Sequence, residues 1–451
     1  MRAKNKKPNI LFVFSDQQRW DTVGCYGQPL NVTPHLDKMA EKGVRFEYAF
    51  TCQPVCGPAR ACIQTGKYAT ETGCYKNNIA LPLDEKTIAH YFSEAGYDVG
   101  YVGKWHLAST GSEFDFKTEP IPPERRGGYK DYWVAADLLE STSHGYDGYM
   151  FDGDMNKVEF TGYRADCVTD FALDYLRNRD RENPFFLFIS YIEPHHQNDR
   201  NRYEGPKGSK ERFKDFEVPE DLAQTEGDWR ESYPDYLGCC ASLDDNVGRL
   251  LSELESQGIA EDTIIFYTSD HGSHFKTRNY EYKRSCHENS IRIPMIAYGP
   301  GFEGGKVISE LTGLIDIPPT LLACGGIEKP EMMQGRPLQQ LVEGNAEDWP
   351  QEVFIQISES QVGRAIRTKQ WKYGVTAPHK NGKNDSSSDA YVEQHLYDLN
   401  RDPDERNNLI GKPGYREICD KLAGILRKKW WKQEKKNRRS CIFEEKVVIS
   451  L

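Results

Sequence analysis

The stretch Asn9-Ile10-Leu11-Phe12-Val13-Phe14, followed by Ser15-Asp16-Gln17, decides the fold class. A nearly continuous run of aliphatic and aromatic residues is typical of a central parallel strand that is covered on both faces. Ligands of open α/β sheets bind beyond the carboxyl ends of such strands. Asp16 and Gln17 therefore stand where the ligands of a hard metal ion would stand. The alternative for Asp16 is the N-cap of a following helix, which is a common role for this residue type.

Other buried strands are predicted along the chain, and polar side chains follow several of them. The predicted strands are residues 44–49, 97–103, 184–191, 262–268 and 295–298. Lys104 and His106 follow the second of these, and two residues that are two apart in an extended chain point to the same side. His195 follows the third strand, and Asp270 with His271 follows the fourth. Each residue alone could be structural, but their repeated position at strand ends favours one shared site.

The helices predicted between these strands define the architecture of the first 345 residues. Helices are predicted at residues 33–43, 87–95, 165–177, 236–258 and 316–322. Alternating strands and helices predict an α/β fold with a large mixed, mostly parallel sheet flanked by helices. Residues 110–162 are predicted as aromatic-rich loops or insertions, either over the active face or with their aromatic side chains packed on themselves. Residues 198–228 are predicted as a surface excursion.

After about residue 346 the strands become short and are separated by turn residues, at 353–358, 363–368, 371–375 and 395–399. This pattern predicts a smaller C-terminal antiparallel sheet, with a basic helix at 411–432 that could cover it. We therefore expect an N-terminal catalytic domain at 1–345 and a C-terminal α+β subdomain at 346–451.

Composition excludes several classes of protein. The net charge of −11 argues against a general nucleic-acid binder. No apolar run approaches the ~20 residues that a membrane span needs. The 12 cysteines include no C-x-x-C pair, which favours reduced thiols over a zinc ribbon or a disulfide framework. The apolar run after the basic N-terminus is too short for a signal peptide. We expect a cytoplasmic protein, while an exported form whose leader has been removed stays open.

The segment Cys56-Gly57-Pro58-Ala59-Arg60 carries unusual chemistry. Pro58 cannot lie in a helix interior but fits a first helical turn, where its missing N–H has no consequence. Cys56 would then lie at or just before a helix N-terminus, which favours anions, with Arg60 about one turn further on. This combination suggests an oxyanion substrate. The alternative is a simple helix start with a buried cysteine and a surface arginine.

With these motifs in place, the chain resembles the type I sulfatase family, the formylglycine-dependent sulfatases of the alkaline phosphatase superfamily. The resemblance runs nearly from end to end, and its motifs occur in the family's order. They are residues 8–17, 56–60 with 65–66, 103–107, 194–195, 269–272, 283–294, and 396–399 with 402–403. The resemblance implies an alkaline-phosphatase-like fold.

The resemblance also implies a nucleophile. A separate maturation enzyme would oxidise Cys56 to Cα-formylglycine (3-oxoalanine), which hydrates to a gem-diol. One hydroxyl would attack sulfur and release the alcohol, and the second would lose its proton and expel sulfate. Such covalent catalysis divides one difficult step into two easier ones.

A divalent cation is implied as well. Its ligands would be Asp16, Gln17, Asp270, His271 and the modified Cys56. Oxygen ligands suit Ca²⁺, which we expect, and Mg²⁺ or Mn²⁺ stays open because many members have Asp at position 17 and often Asn at 271. The Gln/His combination also occurs in relatives that hydrolyse phosphonate monoesters and phosphodiesters.

Further roles follow from the same resemblance. Arg60, Lys104 and Lys283 would neutralise sulfate oxygens. His106 would assist sulfate expulsion as a base, and His195 would be the acid toward the leaving alcohol. Candidate substrate contacts are His144, Tyr146, His196, His274 and Arg278.

The sequence thus predicts a sulfuric ester hydrolase acting on a sulfated saccharide, with neither nucleic acid nor a membrane as partner. One alternative is a phosphonate monoester or phosphodiester hydrolase with the same nucleophile. Another is a non-catalytic protein that binds sulfated glycans and whose Cys56 stays unmodified.

Overall fold

An eleven-stranded mixed sheet organises the larger part of the molecule. The computed structural model describes residues 7–111, 113–434 and 442–444. The strands of this sheet are β1 Asn9–Ser15, β2 Val44–Phe50, β3 Asp98–Lys104, β4 Tyr132–Ala136, β5 Asp147–Phe151, β6 Lys157–Thr161, β7 Phe185–Ser190, β8 Thr263–Ser269, β9 Arg292–Ile293, β10 Met295–Tyr298 and β11 Lys306–Gly313. Their order is β11-β2-β10-β8-β1-β7-β3-β4-β5-β6, with β9 paired to β2. The run β8-β1-β7-β3-β4 is parallel, so its carboxyl ends share one edge.

Strand β1 lies at the centre of this parallel run and is buried on both faces. Ile10, Phe12 and Phe14 belong to one apolar cluster, and Leu11 and Val13 belong to another. The period of two in a strand sends successive side chains to opposite faces, so helices on both sides pack against the same seven residues.

The helices occupy both faces of the sheet. α2, α4 and α10 contribute to the cluster that holds Phe12, whereas α1, α6 and α8 contribute to the cluster that holds Leu11. No helix among the described residues is long and apolar enough to span a bilayer. The helices are α1 Pro34–Lys42, α2 Cys56–Thr65, α3 Ala69–Thr72, α4 Ile88–Glu94, α5 Leu139–Thr142, α6 Arg164–Asn178, α7 Ser209–Arg212, α8 Trp229–Ser256, α9 Glu288–Ile291, α10 Ile317–Cys324, α11 Gln339–Val342 and α12 Arg416–Glu434.

A second sheet of five strands follows, and α12 packs against it. Its strands are β12 Glu352–Ile357, β13 Gly363–Thr368, β14 Trp371–Thr376, β15 Ala390–Asp398 and β16 Ile442–Glu444. The first four are antiparallel, and β16 pairs with β15 in parallel. Phe50 and Leu311 of the large sheet share an apolar cluster with Ile355 of β12. The predicted fold class is confirmed, while the division at residue 345 stays a prediction.

The prediction of loops at 110–162 is wrong in part, because β4 extends the parallel run and β5 and β6 form a hairpin at the sheet edge. The aromatic residues of this region do not all face the active side. Tyr129 and Trp133 are buried, with ring centroids 5.0 and 5.3 Å from that of Tyr101. Packing against a neighbouring strand, which a local pattern does not reveal, makes these rings part of the core.

The prediction that residues 198–228 form a surface excursion is also incomplete. Tyr203, Phe213 and Leu222 are buried in a separate cluster with the start of α8. Charged residues between these three positions mask the apolar pattern in the sequence.

Gly103 provides a test of how β3 is held beside β7. Its φ is +106°, and a Cβ atom would stand 2.0 Å from the carbonyl oxygen of Ser190. We expect Gly103→Ala to lower the free energy of unfolding by about 3 kcal/mol. Gly73→Ala is the matched control, because Gly73 has φ +84° but no described residue other than its chain neighbours lies within 4 Å of the place where its Cβ would stand. Thermal unfolding of both variants measures the change in Tm. An equal decrease in Tm in the two variants would contradict the close approach of β3 to β7.

Candidate active site

The carboxyl ends of the parallel strands bring polar side chains from distant parts of the chain to one place. Asp16 follows β1, Asp270 follows β8, and Lys104 ends β3. Helix α2 begins at Cys56 and faces the same point, because Cys56 Sγ lies 3.3 Å from Asp16 Oδ1. Lys283 arrives from a later loop, with its Nζ 2.9 Å from Cys56 Sγ.

Asp16 is fully buried and is held by two cations. Its Oδ2 lies 3.1 Å from an Arg60 guanidinium nitrogen and 3.0 Å from Lys104 Nζ. Burial alone would raise the pKa of Asp16, but these cations, together with Lys283 and His195, hold it well below its ordinary value. Asp16 is therefore a carboxylate, and it is the N-cap of no helix in the part of the chain that the structure describes. Arg60 is buried rather than on the surface.

Cys56 begins α2 after an extended Val55, and Pro58 lies in the first turn as the sequence predicts. The thiol is only 1% exposed. The backbone N–H of Gly57 donates to Asn77 Oδ1 at 2.9 Å, which satisfies one of the free donors of the helix start. Cys56 Sγ also lies 3.4 Å from His271 Nε2. One sulfur atom thus contacts a carboxylate, an imidazole and an ammonium group.

The two carboxylate oxygens of Asp270 have different surroundings. Oδ1 accepts the backbone N–H groups of Gln17 and His271, each at 2.8 Å. Oδ2 receives no hydrogen bond from any described residue. Burial and the neighbouring Asp16 raise the pKa of Asp270 to about 7. An uncompensated buried carboxylate oxygen of this kind fits a cation ligand.

His271 presents a ligand atom to the same point. Its Nδ1 lies 2.9 Å from the carbonyl oxygen of Gly272, so Nδ1 carries the proton and Nε2 keeps its lone pair. Burial lowers the pKa of His271 to about 4, so the ring is neutral near pH 7. Nε2 lies 3.4 Å from Asp270 Oδ2.

These side chains form a group that could hold a metal ion. Ligand atoms of Asp16, Cys56, Asp270 and His271 all lie within 4.8 Å of one another. Gln17 lines the cavity above them. Its Nε2 donates to Tyr203 Oη at 2.9 Å, so the amide oxygen is the atom of this side chain that could act as a ligand. The donor set combines oxygen atoms of Asp16, Gln17 and Asp270 with the His271 imidazole and the Cys56 sulfur.

A cavity of about 400 Å³ opens above this group. His106 and His195 both line it, and no described residue forms a hydrogen bond with Nδ1 of either ring. Burial and the nearby cations lower the pKa of both histidines well below the ordinary value. Lys104 and His106 do not lie in one extended strand as predicted, because His106 has φ +58° and the chain turns there.

The five candidate substrate residues differ in position. His196 lines the cavity, whereas the other four have contacts elsewhere. His144 pairs with Asp199 at 2.8 Å, and the Tyr146 hydroxyl accepts the N–H of Lys207. His274 Nε2 lies 3.1 Å from the carbonyl oxygen of Lys283, beneath the cavity wall.

Arg278 donates to the backbone carbonyls of Asp404 and Glu405 and so joins the loop before α9 to the C-terminal part. None of these four side chains is among the described residues that line the cavity, and Tyr146 is 38% exposed. Their role as substrate contacts stays a prediction.

Several cavity residues escape prediction from the sequence. Glu140 lies four residues beyond β4, and the rule for strand ends would find it if β4 were recognised. Asn77 and Arg284 line the cavity as well, and Glu359 contacts both. No local signal marks these three, because their positions depend on contacts between distant segments.

Comparisons with known proteins agree with this geometry. A family model described as Sulfatase matches residues 8–327, and one described as N-sulphoglucosamine sulphohydrolase, C-terminal, matches residues 277–432. An ulvan-active sulfatase of Formosa agariphila is 31% identical over 445 residues, which cover 94% of this chain and 81% of that protein.

Two solved structures show the same fold. The crystal structure of yidJ from Bacteroides fragilis has a TM-score of 0.81 at 26% identity and covers 96% of this chain and 98% of that one. A protein solved in complex with its substrate D-glucosamine-2-N,6-O-disulfate has a TM-score of 0.76 at 26% identity and covers 96% and 99%. The chain therefore belongs to the sulfatase family of sulfuric ester hydrolases and has the alkaline-phosphatase-like fold of that family.

Proposed function

We propose that this sulfatase hydrolyses a sulfate ester on a sulfated carbohydrate, with a nucleophile generated from Cys56 and a divalent cation beside it. The observation that carries the proposal is the position of Cys56 Sγ, which lies at the floor of the cavity. It stands 3.3 Å from Asp16, 3.4 Å from His271 and 2.9 Å from Lys283. A nucleophile at this point has a carboxylate, an imidazole and an ammonium group ready to orient it and to stabilise charge.

Burial of Cys56 supports its modification before folding. At 1% exposure the thiol is out of reach of another enzyme in the folded protein. A maturation enzyme would therefore act on the unfolded chain, where Pro58 and Arg60 mark the segment. Hydrated formylglycine would offer two hydroxyl groups on one carbon, one to attack sulfur and one whose deprotonation drives sulfate out.

The cation would be held by Asp16, Gln17, Asp270 and His271, together with the modified residue 56. The free Asp270 Oδ2 and the neutral His271 Nε2 support this assignment. We propose Ca²⁺, and the imidazole leaves Mg²⁺ and Mn²⁺ as alternatives. A bound divalent ion would supply Lewis-acid polarisation of the reacting oxygens.

Three cations of the chain would bind the ester oxygens, namely Arg60, Lys104 and Lys283. Lys283 Nζ is next to the nucleophile position, at 2.9 Å from Cys56 Sγ. Arg60 is fixed by hydrogen bonds of 2.7 Å to the carbonyl oxygen of Lys104 and to Ser190 Oγ. Since these groups are rigid before substrate arrives, they stabilise transition-state charge without reorganisation.

The two cavity histidines would move protons. His106 is neutral because burial and Lys104 depress its pKa, so it can accept a proton when sulfate is expelled. The pKa of His195 is depressed by burial and by Lys283, and an anionic ester bound between them would favour its protonated form. Protonated His195 would then donate to the oxygen of the leaving alcohol.

A carbohydrate as leaving group has two supports. The C-terminal family model is named for a sulphohydrolase of N-sulphoglucosamine. One structural relative was solved with a disulfated glucosamine as its substrate. The cavity lining fits such a ligand, because Asn198, Asn201 and Tyr282 offer hydrogen-bonding groups at its wall.

Removal of the nucleophile precursor tests this proposal. We expect Cys56→Ala to abolish hydrolysis of a generic aryl sulfate, because no group remains to attack sulfur. Cys62→Ala is the control, since Cys62 is equally buried in α2 but lies outside the cavity lining. Full kcat/KM in Cys56→Ala would contradict the mechanism.

Metal content tests the ligand assignment. We expect Asp270→Asn to lower affinity for the divalent ion by about tenfold or more, because a charged ligand is lost. Elemental analysis of dialysed protein measures this directly, without reference to activity. The control is Asp174→Asn on α6, where the carboxylate accepts a hydrogen bond from Asn178 at 2.8 Å and lies outside the cavity lining. Equal metal content in the two variants would overturn the assignment.

A second candidate function is hydrolysis of phosphonate monoesters or phosphodiesters with the same nucleophile. Gln17 and His271 favour it, since they remove one negative charge and add an imidazole relative to the commonest sulfatase pattern. We expect kcat/KM for an aryl sulfate to exceed that for the matched aryl phosphonate monoester in wild-type protein. The reverse order would favour the second candidate.

A further inference from the structure

Glu140 places a carboxylate inside a cavity built to attract an anion. It lies in α5, just after β4, and its side chain is 12% exposed and lines the cavity. Its Oε1 accepts a hydrogen bond from Lys104 Nζ at 3.2 Å, and Oε2 lies 3.2 Å from the same nitrogen. The carboxylate therefore stands beside one of the cations that we assign to the sulfate group.

Glu140 is the second carboxylate beside Lys104. Asp16 Oδ2 lies 3.0 Å from the same nitrogen, in a position with no exposure, and also pairs with Arg60 at 3.1 Å. A second carboxylate beside this ammonium weakens its attraction for an anion, which is a cost for a sulfatase. A carboxylate that weakens the attraction for sulfate is expected in this cavity if it also contacts the substrate.

Glu140 also keeps unused acceptor capacity at the cavity wall. Its Oε2 is buried there and receives no hydrogen bond from any described residue. The other acidic side chain that lines the cavity, Glu281, is paired with Arg284 at 2.5 Å. Of these two carboxylates, only that of Glu140 shares its cation with the catalytic centre.

The backbone of Glu140 is tied to the loop that carries His195. Gln197 Nε2 donates to the carbonyl oxygen of Glu140 at 3.0 Å, two residues beyond His195. Glu140 thus lies between Lys104, assigned to the sulfate oxygens, and the loop of His195, assigned to the leaving alcohol.

We infer that Glu140 determines specificity by contacting the substituent on the carbon next to the one that carries the sulfate ester. It accepts a hydrogen bond from a hydroxyl or ammonium group on the neighbouring carbon, and it repels a second sulfate or a carboxylate there. The inference rests on the proposed function, because it takes the positions of sulfate and leaving group from it. It assigns the substrate class as a sugar unit whose sulfate has a hydrogen-bond donor beside it.

Three aryl sulfates test this inference without knowledge of the sugar. They are phenyl sulfate, 2-hydroxyphenyl sulfate and 2-carboxyphenyl sulfate, with no group, a donor and an anion beside the ester. We expect wild-type kcat/KM to be highest for the hydroxyl compound and lowest for the carboxyl compound. Glu140→Gln should reduce the ratio between these two by about tenfold or more, because like charges a few ångströms apart then no longer repel.

The control is Glu85→Gln, in which a partly buried glutamate loses its charge beside Lys67, 2.8 Å away and outside the cavity lining. We expect its ratio to equal that of wild type. If Glu140 only positioned Lys104, Glu140→Gln would change all three values by the same factor. That result, or an unchanged ratio, would overturn the inference.

Binding to protein that lacks the nucleophile separates this inference from the proposed function. Thermal shifts of Cys56→Ala and of Cys56→Ala with Glu140→Gln are measured with 2-hydroxyphenyl and 2-carboxyphenyl sulfate. We expect only the double variant to gain stabilisation from the carboxyl compound. Wild-type protein that fails on all three esters would count against aryl sulfate hydrolysis, while the thermal shifts would still decide the role of Glu140. Identical shifts in both variants would overturn it.

Discussion

The pairing of Asp16 with Arg60 and Lys104 is the contact on which the site depends. A carboxylate with no exposure is costly unless cations and hydrogen bonds compensate it. Here the compensation comes from α2 and from the end of β3, at 3.1 and 3.0 Å. Arg60 also bonds to Ser190 Oγ at the end of β7. Three strands and one helix are thus joined around one negative charge, and the first residue of that helix is Cys56.

The C-terminal part contributes to the same arrangement from outside. Glu359, just beyond β12, accepts the backbone N–H of Asn77 at 2.7 Å and binds Arg284 Nε at 2.7 Å. Asn77 in turn accepts the N–H of Gly57, next to Cys56. A short chain of contacts therefore runs from the second sheet to the start of α2. The second sheet thereby helps to position the helix start that carries Cys56.

Much of the site can be predicted from sequence because strand ends are local signals. Asp16, Lys104 and Asp270 each end or follow a buried apolar run, and parallel strands bring such positions together. Cys56 and Arg60 are indicated by the residue types around Pro58. Glu140 escapes prediction because residues 110–162 are predicted as loops, so the strand β4 that ends four residues before it is missed. The turn at His106, with φ +58°, and the contacts of His274 and Arg278 depend on tertiary packing that no local pattern contains.

The most direct test of the central claim is the mass of the peptide that contains Cys56, taken from protein made in its own host. Conversion of the thiol to formylglycine removes one sulfur and two hydrogens and adds one oxygen. We expect the peptide to be lighter by that difference and to react with a hydrazine probe. A peptide with the full mass of an unmodified cysteine, in protein that hydrolyses aryl sulfates, would contradict the account.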